Sequence, residues 1–376
     1  MSKRMAALVM GAVLVFAQEA GAQDVRQALE AFLRGVVATE SIRLQTATFP
    51  IPSSSGGFTW TFDPALGVST RRSRSFGPVF AERSFTTGMR KLNVAVNFQR
   101  TTFESFAGKP LSDFVLVEPS ALAVTTFQSS IELESQRTIV NATYGVTNRW
   151  DVGLIVPFAR THVVGERRIV STGGSISSLA PLLTLDRSAA GLGDIVFRSK
   201  FALTEAPALA LAVGIDFKAD TTDVEKLLGT DSTSAKLMII GTSTRGDFAT
   251  HFNVGYTFGG RVSGERTIGT RSVRFSDDYS RSEIGYVLGA DIAASSAITV
   301  AGDLVGRTML DTLVPELVGP SFVATGKGTM NLLLGAIGVK VNVGGSWLIT
   351  GSVLFPLNDN GLKPNVTPVI GLERAF

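Results

Sequence analysis

Residues 208–218 read Ala208-Leu209-Ala210-Leu211-Ala212-Val213-Gly214-Ile215-Asp216-Phe217-Lys218. The odd positions are all large and apolar, whereas the even positions are small and end in Asp216 and Lys218. A period of two marks an extended strand with unlike faces. Large apolar groups on one face and small or charged groups on the other suit a wall with lipid outside and a polar lumen inside. A slip of one residue would put Asp216 and Lys218 into lipid, so the register is strongly specified.

Neighbouring stretches repeat the pattern. Ile195, Phe197, Phe201 and Leu203 oppose Asp194, Arg198, Lys200 and Ala202, and Trp150, Val152, Leu154, Val156 and Phe158 share one side. Phe252, Val254, Tyr256 and Phe258 oppose His251, Asn253 and Thr257, but residues 331–343 are apolar on both sides and leave their register open. Tight turns are expected near Thr86-Thr87, Thr147-Asn148-Arg149, Glu205-Ala206, Arg245-Gly246, Ser295-Ser296 and Gly344-Gly345. They alternate with long polar links near 105–128, 165–189, 220–233, 260–281 and 311–327. Short turns at one end and long loops at the other belong to outer-membrane barrels, and a soluble sandwich has no reason to sort its loops so. Six hairpins, an opening strand at 58–66 and a closing strand at 366–376 predict an all-β fold: a transmembrane antiparallel up-and-down β-barrel of about fourteen strands, within a range of about 12–16. Both termini would then lie in the periplasm. Trp150 and Trp347, beside tight turns, suit an interfacial aromatic girdle.

The chain begins with Lys3 and Arg4, an apolar run over 5–17 and then Ala20-Gly21-Ala22, the pattern of a cleaved export signal covering 1–22. The run is shorter than the roughly 20 residues of a spanning helix. Hydrophobic residues make up 44% of the chain and mean hydropathy is +0.26, so abundant apolar surface needs an environment other than a helical span. No cysteine is present, which excludes disulfides and thiolate chemistry. The net charge of +3 gives no case for nucleic acid. Residues 24–39 place Val25, Leu29, Phe32, Leu33 and Val36 at helical spacing, before a breaker-rich linker at 51–57. Residues 23–57 are expected to form a periplasmic helix and linker, and 58–376 the barrel. A lumen plug is the alternative for the helix, weakened because a charged lumen would receive its apolar stripe poorly.

The candidate lumen and selectivity residues are Asp194, Arg198, Lys200, Asp216, Lys218 and His251, because ionisable groups at membrane depth must face protein or water. Against a transport role stands the reading that they satisfy one another across strands. Catalysis would need a base, and only His162 and His251 are available, with no nucleophile and orienter assembled around either. Gly326-Lys327-Gly328-Thr329 lacks the spacing of a phosphate loop. Asp277-Asp278 and Asp359-Asn360-Gly361 are explained by turn chemistry, so no catalytic residue, cofactor or metal is expected.

Residues 190–201, Ala-Gly-Leu-Gly-Asp-Ile-Val-Phe-Arg-Ser-Lys-Phe, and 144–158, from Tyr144 through Trp150-Asp151 to Pro157-Phe158, resemble two motifs of one outer-membrane family. That family carries the label MetA pathway of phenol degradation; the first stretch resembles its GxGD strand opening, the second its hairpin ending in Pro and an aromatic. The resemblance is closest over 130–219. It implies an outer-membrane transporter or channel for passive passage of small, hydrophobic or aromatic molecules, with outer-membrane lipids around it. Phe376 resembles the terminal aromatic recognised by the barrel-assembly machinery. A structural or adhesion barrel without transport is the alternative, and the solute itself is not specified.

Overall fold

The structure is a computed structural model and describes residues 25–33, 36–63, 65–119, 124–172, 175–176, 181–222, 226–268, 271–318 and 321–376. The expected export signal at 1–22 lies outside the described residues. Two helices, α1 (Val25–Leu33) and α2 (Val36–Ala47), precede a short hairpin of β1 (Trp60–Asp63) and β2 (Val68–Arg71). The wall begins with β3 (Leu92–Phe106), followed by two short strands, β4 (Lys109–Pro110) and β5 (Phe114–Pro119), and then by β6 (Val124–Gly145) and β7 (Trp150–Thr172). After β8 (Ser175–Ile176) come β9 (Pro181–Leu192), β10 (Val196–Glu205), β11 (Ala210–Lys218), β12 (Ser234–Arg245) and β13 (Phe248–Phe258). A hairpin of β14 (Arg261–Ile268) and β15 (Arg271–Ser280) leads to β16 (Glu283–Ala293), β17 (Ile298–Val318), β18 (Ser321–Gly344), β19 (Trp347–Pro356), β20 (Leu362–Pro364) and β21 (Thr367–Ala375).

All pairings are antiparallel, and the ladder closes in the order β3-β6-β7-β10-β11-β12-β13-β16-β17-β18-β19-β21 and back to β3. This is a barrel of twelve strands, the lower end of the expected range of 12–16. The expected opening strand at 58–66 is instead the first arm of the β1–β2 hairpin, outside the closed sheet. The stretch before Thr86-Thr87 is no strand at all, and that turn is absent. Both differences have one cause, given below: residues 48–91 lie within the lumen or at its mouth. The other five tight turns stand where expected and share an end with the seam, where Phe376 donates its N–H to the Leu92 carbonyl at 2.8 Å.

The outward face follows the period-two reading. Phe197, Ile215, Ile239, Phe258, Leu288, Ile337 and Ile370 are all exposed, whereas Ala210, Ala212, Asp216 and His251 are buried inward. Such an inverted surface is stable only with a nonaqueous neighbour, as a membrane barrel has. Residues 331–343 also resolve, with Leu334, Ala336 and Lys340 inward and Ile337, Val339 and Val343 outward. Trp150 is exposed beside its turn and donates to Ser199 Oγ at 2.9 Å. Several links expected as long loops are continuations of strands: β6, β7, β17 and β18 run to 21–24 residues, well beyond the roughly 9–11 that cross a bilayer. One wall strand is broken, since β9 and β10 both pair with β7 and the interruption falls at Gly193-Asp194-Ile195.

The helices are not outside the barrel. Val25, Leu29, Phe32 and Leu33 are fully buried in a cluster with Phe103, Phe127, Ile131, Val163 and Leu185 of the wall. The apolar stripe argued against a plug because the lumen was taken as charged throughout. The long-loop end of the lumen is in fact apolar, and it receives that stripe. Gly165 on β7 allows the approach, for a Cβ there would stand 2.9 Å from the Phe32 ring. α2 lies in the same half, where Gln45 Oε1 accepts the Leu362 N–H at 2.6 Å and Arg43 donates to the Gly229 carbonyl at 2.7 Å. The described N-terminal segment therefore starts at the long-loop end, opposite the C-terminus.

Candidate functional site

After α2 the chain descends through the lumen. Phe49 packs edge-on against Phe103 at 6.1 Å between ring centres, Ser54 reaches mid-barrel, and the Gly57 N–H meets the Glu373 carboxylate at 2.5 Å. The β1–β2 hairpin then emerges at the short-turn end, tied to two turns by Asn148 to Phe62 and Arg72 to Glu205. Residues 75–87 re-enter as an extended strap whose residues are all buried.

A strap without sheet partners has unsatisfied N–H and C=O groups, and leaving them unpaired in a closed lumen would cost about 1–3 kcal/mol each. Wall side chains meet them. Asp303 accepts the N–H groups of Val79 and Phe80 at 3.0 and 2.9 Å. Asn253 both accepts from the Glu82 N–H at 2.6 Å and donates to its carbonyl at 2.9 Å. Thr242 Oγ1 takes the Ser84 N–H at 3.0 Å, and Asp151 takes that of Thr87 at 2.9 Å. Lys200 donates to the carbonyls of Arg83 and Phe85 at 3.1 and 2.8 Å.

At the centre sits Glu82. Its carboxylate accepts from the Ser54 N–H at 2.8 Å, from the Ser54 and Ser55 hydroxyls, and from Arg198 at 2.5 Å. The positive charges of Arg198 and Lys200 beside it favour its ionised form in this buried setting. Arg198 is also bidentate to Asp216, with both contacts at 2.6 Å. The pair on adjacent wall strands is thus completed by an acid from the strap.

The six sequence candidates fall into two groups. Arg198, Lys200, Asp216 and His251 surround the strap; His251 lies 2.5 Å from Asp291 and 3.1 Å from Thr242, and Asp291 in turn accepts from the strap hydroxyl of Ser75. Asp194 and Lys218 stand apart, 3.4 Å from each other, and fasten the 219–233 loop through Thr222 and Thr230. His162 is half-exposed and 3.0 Å from Asp186. The sequence reading missed Glu82, Asp151, Asp291 and Asp303. The last three lie on the inward parity of β7, β16 and β17, where alternation could have found them; Glu82 carried no periodic signal. Phe376 is partly exposed at the seam, under the Arg374 guanidinium at 4.5 Å.

Between strap, α2 and the wall from β6 to β17 lies a cavity of about 290 Å³. Phe49, Ile51, Phe80, Ile155, Met238 and Val305 give it apolar walls, and it borders the strand break at Gly193.

Residues 117–306 match the family model described as "Putative MetA-pathway of phenol degradation". The chain belongs to this family. Among solved structures, an outer membrane channel from Pseudomonas putida F1 is similar at 13% identity and a TM-score of 0.54, over 78% of this chain and 98% of that one. At that identity the likeness establishes the fold alone. The CymD monoaromatic hydrocarbon channel aligns at 11% identity over 77% and 89% with a TM-score of 0.40. The Pseudomonas putida toluene transporter TodX aligns at 9% over 76% and 88%, with a score of 0.36. No curated protein matches the chain.

Proposed function

We propose that the protein is an outer-membrane channel that takes small apolar or aromatic molecules into its lumen and is held closed here by the strap. The observation that carries this reading is the apolar-walled cavity inside a barrel whose outer surface is itself apolar. A solute pathway needs such a chamber, whereas a barrel that only supports surface loops has no use for one. The similar fold of the outer membrane channel from Pseudomonas putida F1 supports the same direction.

In this reading Arg198, Lys200, Asp216 and His251 hold a gate rather than filter the solute directly. Asp194 and Lys218 shape the long-loop roof above it. Transport rather than catalysis fits His251, since its two ring nitrogens are engaged by Asp291 and Thr242 in a buried setting with no room for a reacting group. The exposed apolar belt supports a place in the outer membrane, with Phe376 presented to the assembly machinery.

The test is uptake of radiolabelled toluene and phenol by proteoliposomes against protein-free vesicles, together with membrane fractionation. Faster uptake with detergent-dependent extraction is expected. Native protein recovered without detergent would refute the barrel's membrane setting. Binding of cells or surfaces with no solute flux would replace the channel by an adhesion barrel.

A further inference from the structure

Six cations line the cavity against four carboxylates, so its lining is net cationic. Arg198 is met by Glu82 and Asp216, Lys218 by Asp194, and Arg281 by Glu40 at 3.4 Å and Asp231 at 3.7 Å. Two lining cations have no carboxylate within ion-pair distance among the described residues: Arg137 and Lys236. Arg137 is only 6% exposed, and its one hydrogen bond is to the Phe49 carbonyl at 3.3 Å. Lys236 has no hydrogen bond or ion pair among the described residues.

These cations converge. Arg307 donates to the Thr48 carbonyl at 2.7 Å, so Arg137 and Arg307 hold consecutive carbonyls of the descending chain. Lys236 lies flat along the wall across Gly255 and Gly285; Cβ atoms there would stand 2.9 Å from its Cε and 3.2 Å from its Nζ. Gly285 pairs with Arg307 in the β16–β17 ladder, which brings the ammonium to the same pole of the cavity. Glu283 is 3.8 Å from Arg307, and Asp194 faces Arg137 from beyond ion-pair distance while bound to Lys218. A buried guanidinium without a counter-charge is costly in the interior. The pole is therefore built to be completed by an anion, and the rest of the wall, with Phe80, Ile155, Met238 and Val305, is built to cover an apolar body.

Resting on the channel reading, we propose that the cavity binds a small apolar monocarboxylate, its acid group between Lys236, Arg137 and Arg307 and its ring or short chain against the apolar wall. A volume of about 290 Å³ is at the small end for ligand pockets and fits a single ring with a short chain. Charge sets the orientation: the cationic pole fixes the head, and the body lies against the apolar wall.

The experiment is calorimetric titration of the whole protein in lipid nanodiscs, with empty nanodiscs as blank, using 3-phenylpropanoate and 3-phenylpropan-1-ol at neutral pH. The acid should bind at least about tenfold more tightly than the alcohol. Lys236→Met should weaken acid binding by about tenfold and leave the alcohol unchanged, and Lys236→Arg should restore it. Lys236 has no partner in the wall, so its replacement spares the fold, whereas Arg137→Met risks it. Equal binding of acid and alcohol, or a Lys236→Met variant that binds the acid as before, would overturn this inference and leave the channel reading standing. Tight, Lys236-dependent binding of the acid supports the site even if vesicle flux is nil, a result that would instead sink the channel. Failure of both probes to bind overturns the inference, and failure of both to cross vesicles as well overturns both.

Discussion

Replacing Glu82 by Ala removes the one acid that the strap contributes to the wall. Four donors would lose their acceptor: the Ser54 N–H, the two serine hydroxyls and Arg198, which keeps only Asp216. Breaking a buried ion pair from one side costs about 3–5 kcal/mol. At 1.4 kcal/mol per factor of ten, this shifts the docked-to-undocked ratio by roughly two to three and a half orders of magnitude. The strap would still be held at Asp303, Asn253, Thr242, Asp151 and Lys200, so the expected change is frequent brief openings rather than a permanently open pore. Single-channel recording in planar bilayers measures this directly. Wild type should be nearly silent, and Glu82→Ala should show opening events at least about a hundredfold more often, from the lower end of that cost. A variant that assembles normally yet stays as silent as wild type would refute the assignment of Glu82 as the strap's main fastening.

Thr242→Val removes one strap hydrogen bond and should raise opening by only a few-fold, in keeping with about 1 kcal/mol, in the same recordings. Phe32→Ala should cost about 3–5 kcal/mol at the helix seat and make residues 25–47 accessible to protease while the barrel stays intact; unchanged protection would show that α1 is held by something other than its stripe. Ile239→Arg, on the outward face of β12, should destabilise the folded barrel in liposomes by about 2–4 kcal/mol in urea titrations, and an unaltered midpoint would show that this face does not meet lipid. Deleting residues 25–50 should preserve assembly and raise conductance, because it empties the long-loop half of the lumen; unchanged conductance would mean that the strap alone seals the pore.

The wall was legible because its rule is local. Ala208 to Lys218 alternates so strictly that inward and outward positions could be named residue by residue, and the structure repeats them from Ala210 onward. The two surplus strands came from a stretch where that rule is silent. In residues 75–87, Phe76 and Phe80 have one parity while Val79 and Phe85 have the other, and Pro78 removes a donor. A strap wrapped on all sides by lumen has no outward face to advertise, so the turn-like Thr86-Thr87 was given a strand it does not end. The helix was misplaced for a related reason: its stripe was plain, but the matching apolar wall is shared among Phe103, Phe127, Ile131, Val163 and Leu185, from strands distant in sequence. Of the site, the wall half was readable as inward charges, and the pairing with Glu82 was not.

The seam between β3 and β21 has a consequence for the order of assembly. Leu92 and Phe376 join the two ends of the wall, so the ring closes only when the last residue of the chain reaches the first strand. Such a long loop carries a high closure entropy and forms late. The thread from α1 to the strap runs through that ring, with the β1–β2 hairpin at one mouth and the helices at the other. The finished molecule is a threaded object: its N-terminal segment can slacken or slide within the wall, but drawing the helices back through the short-turn mouth would require them to pass the strap that follows them.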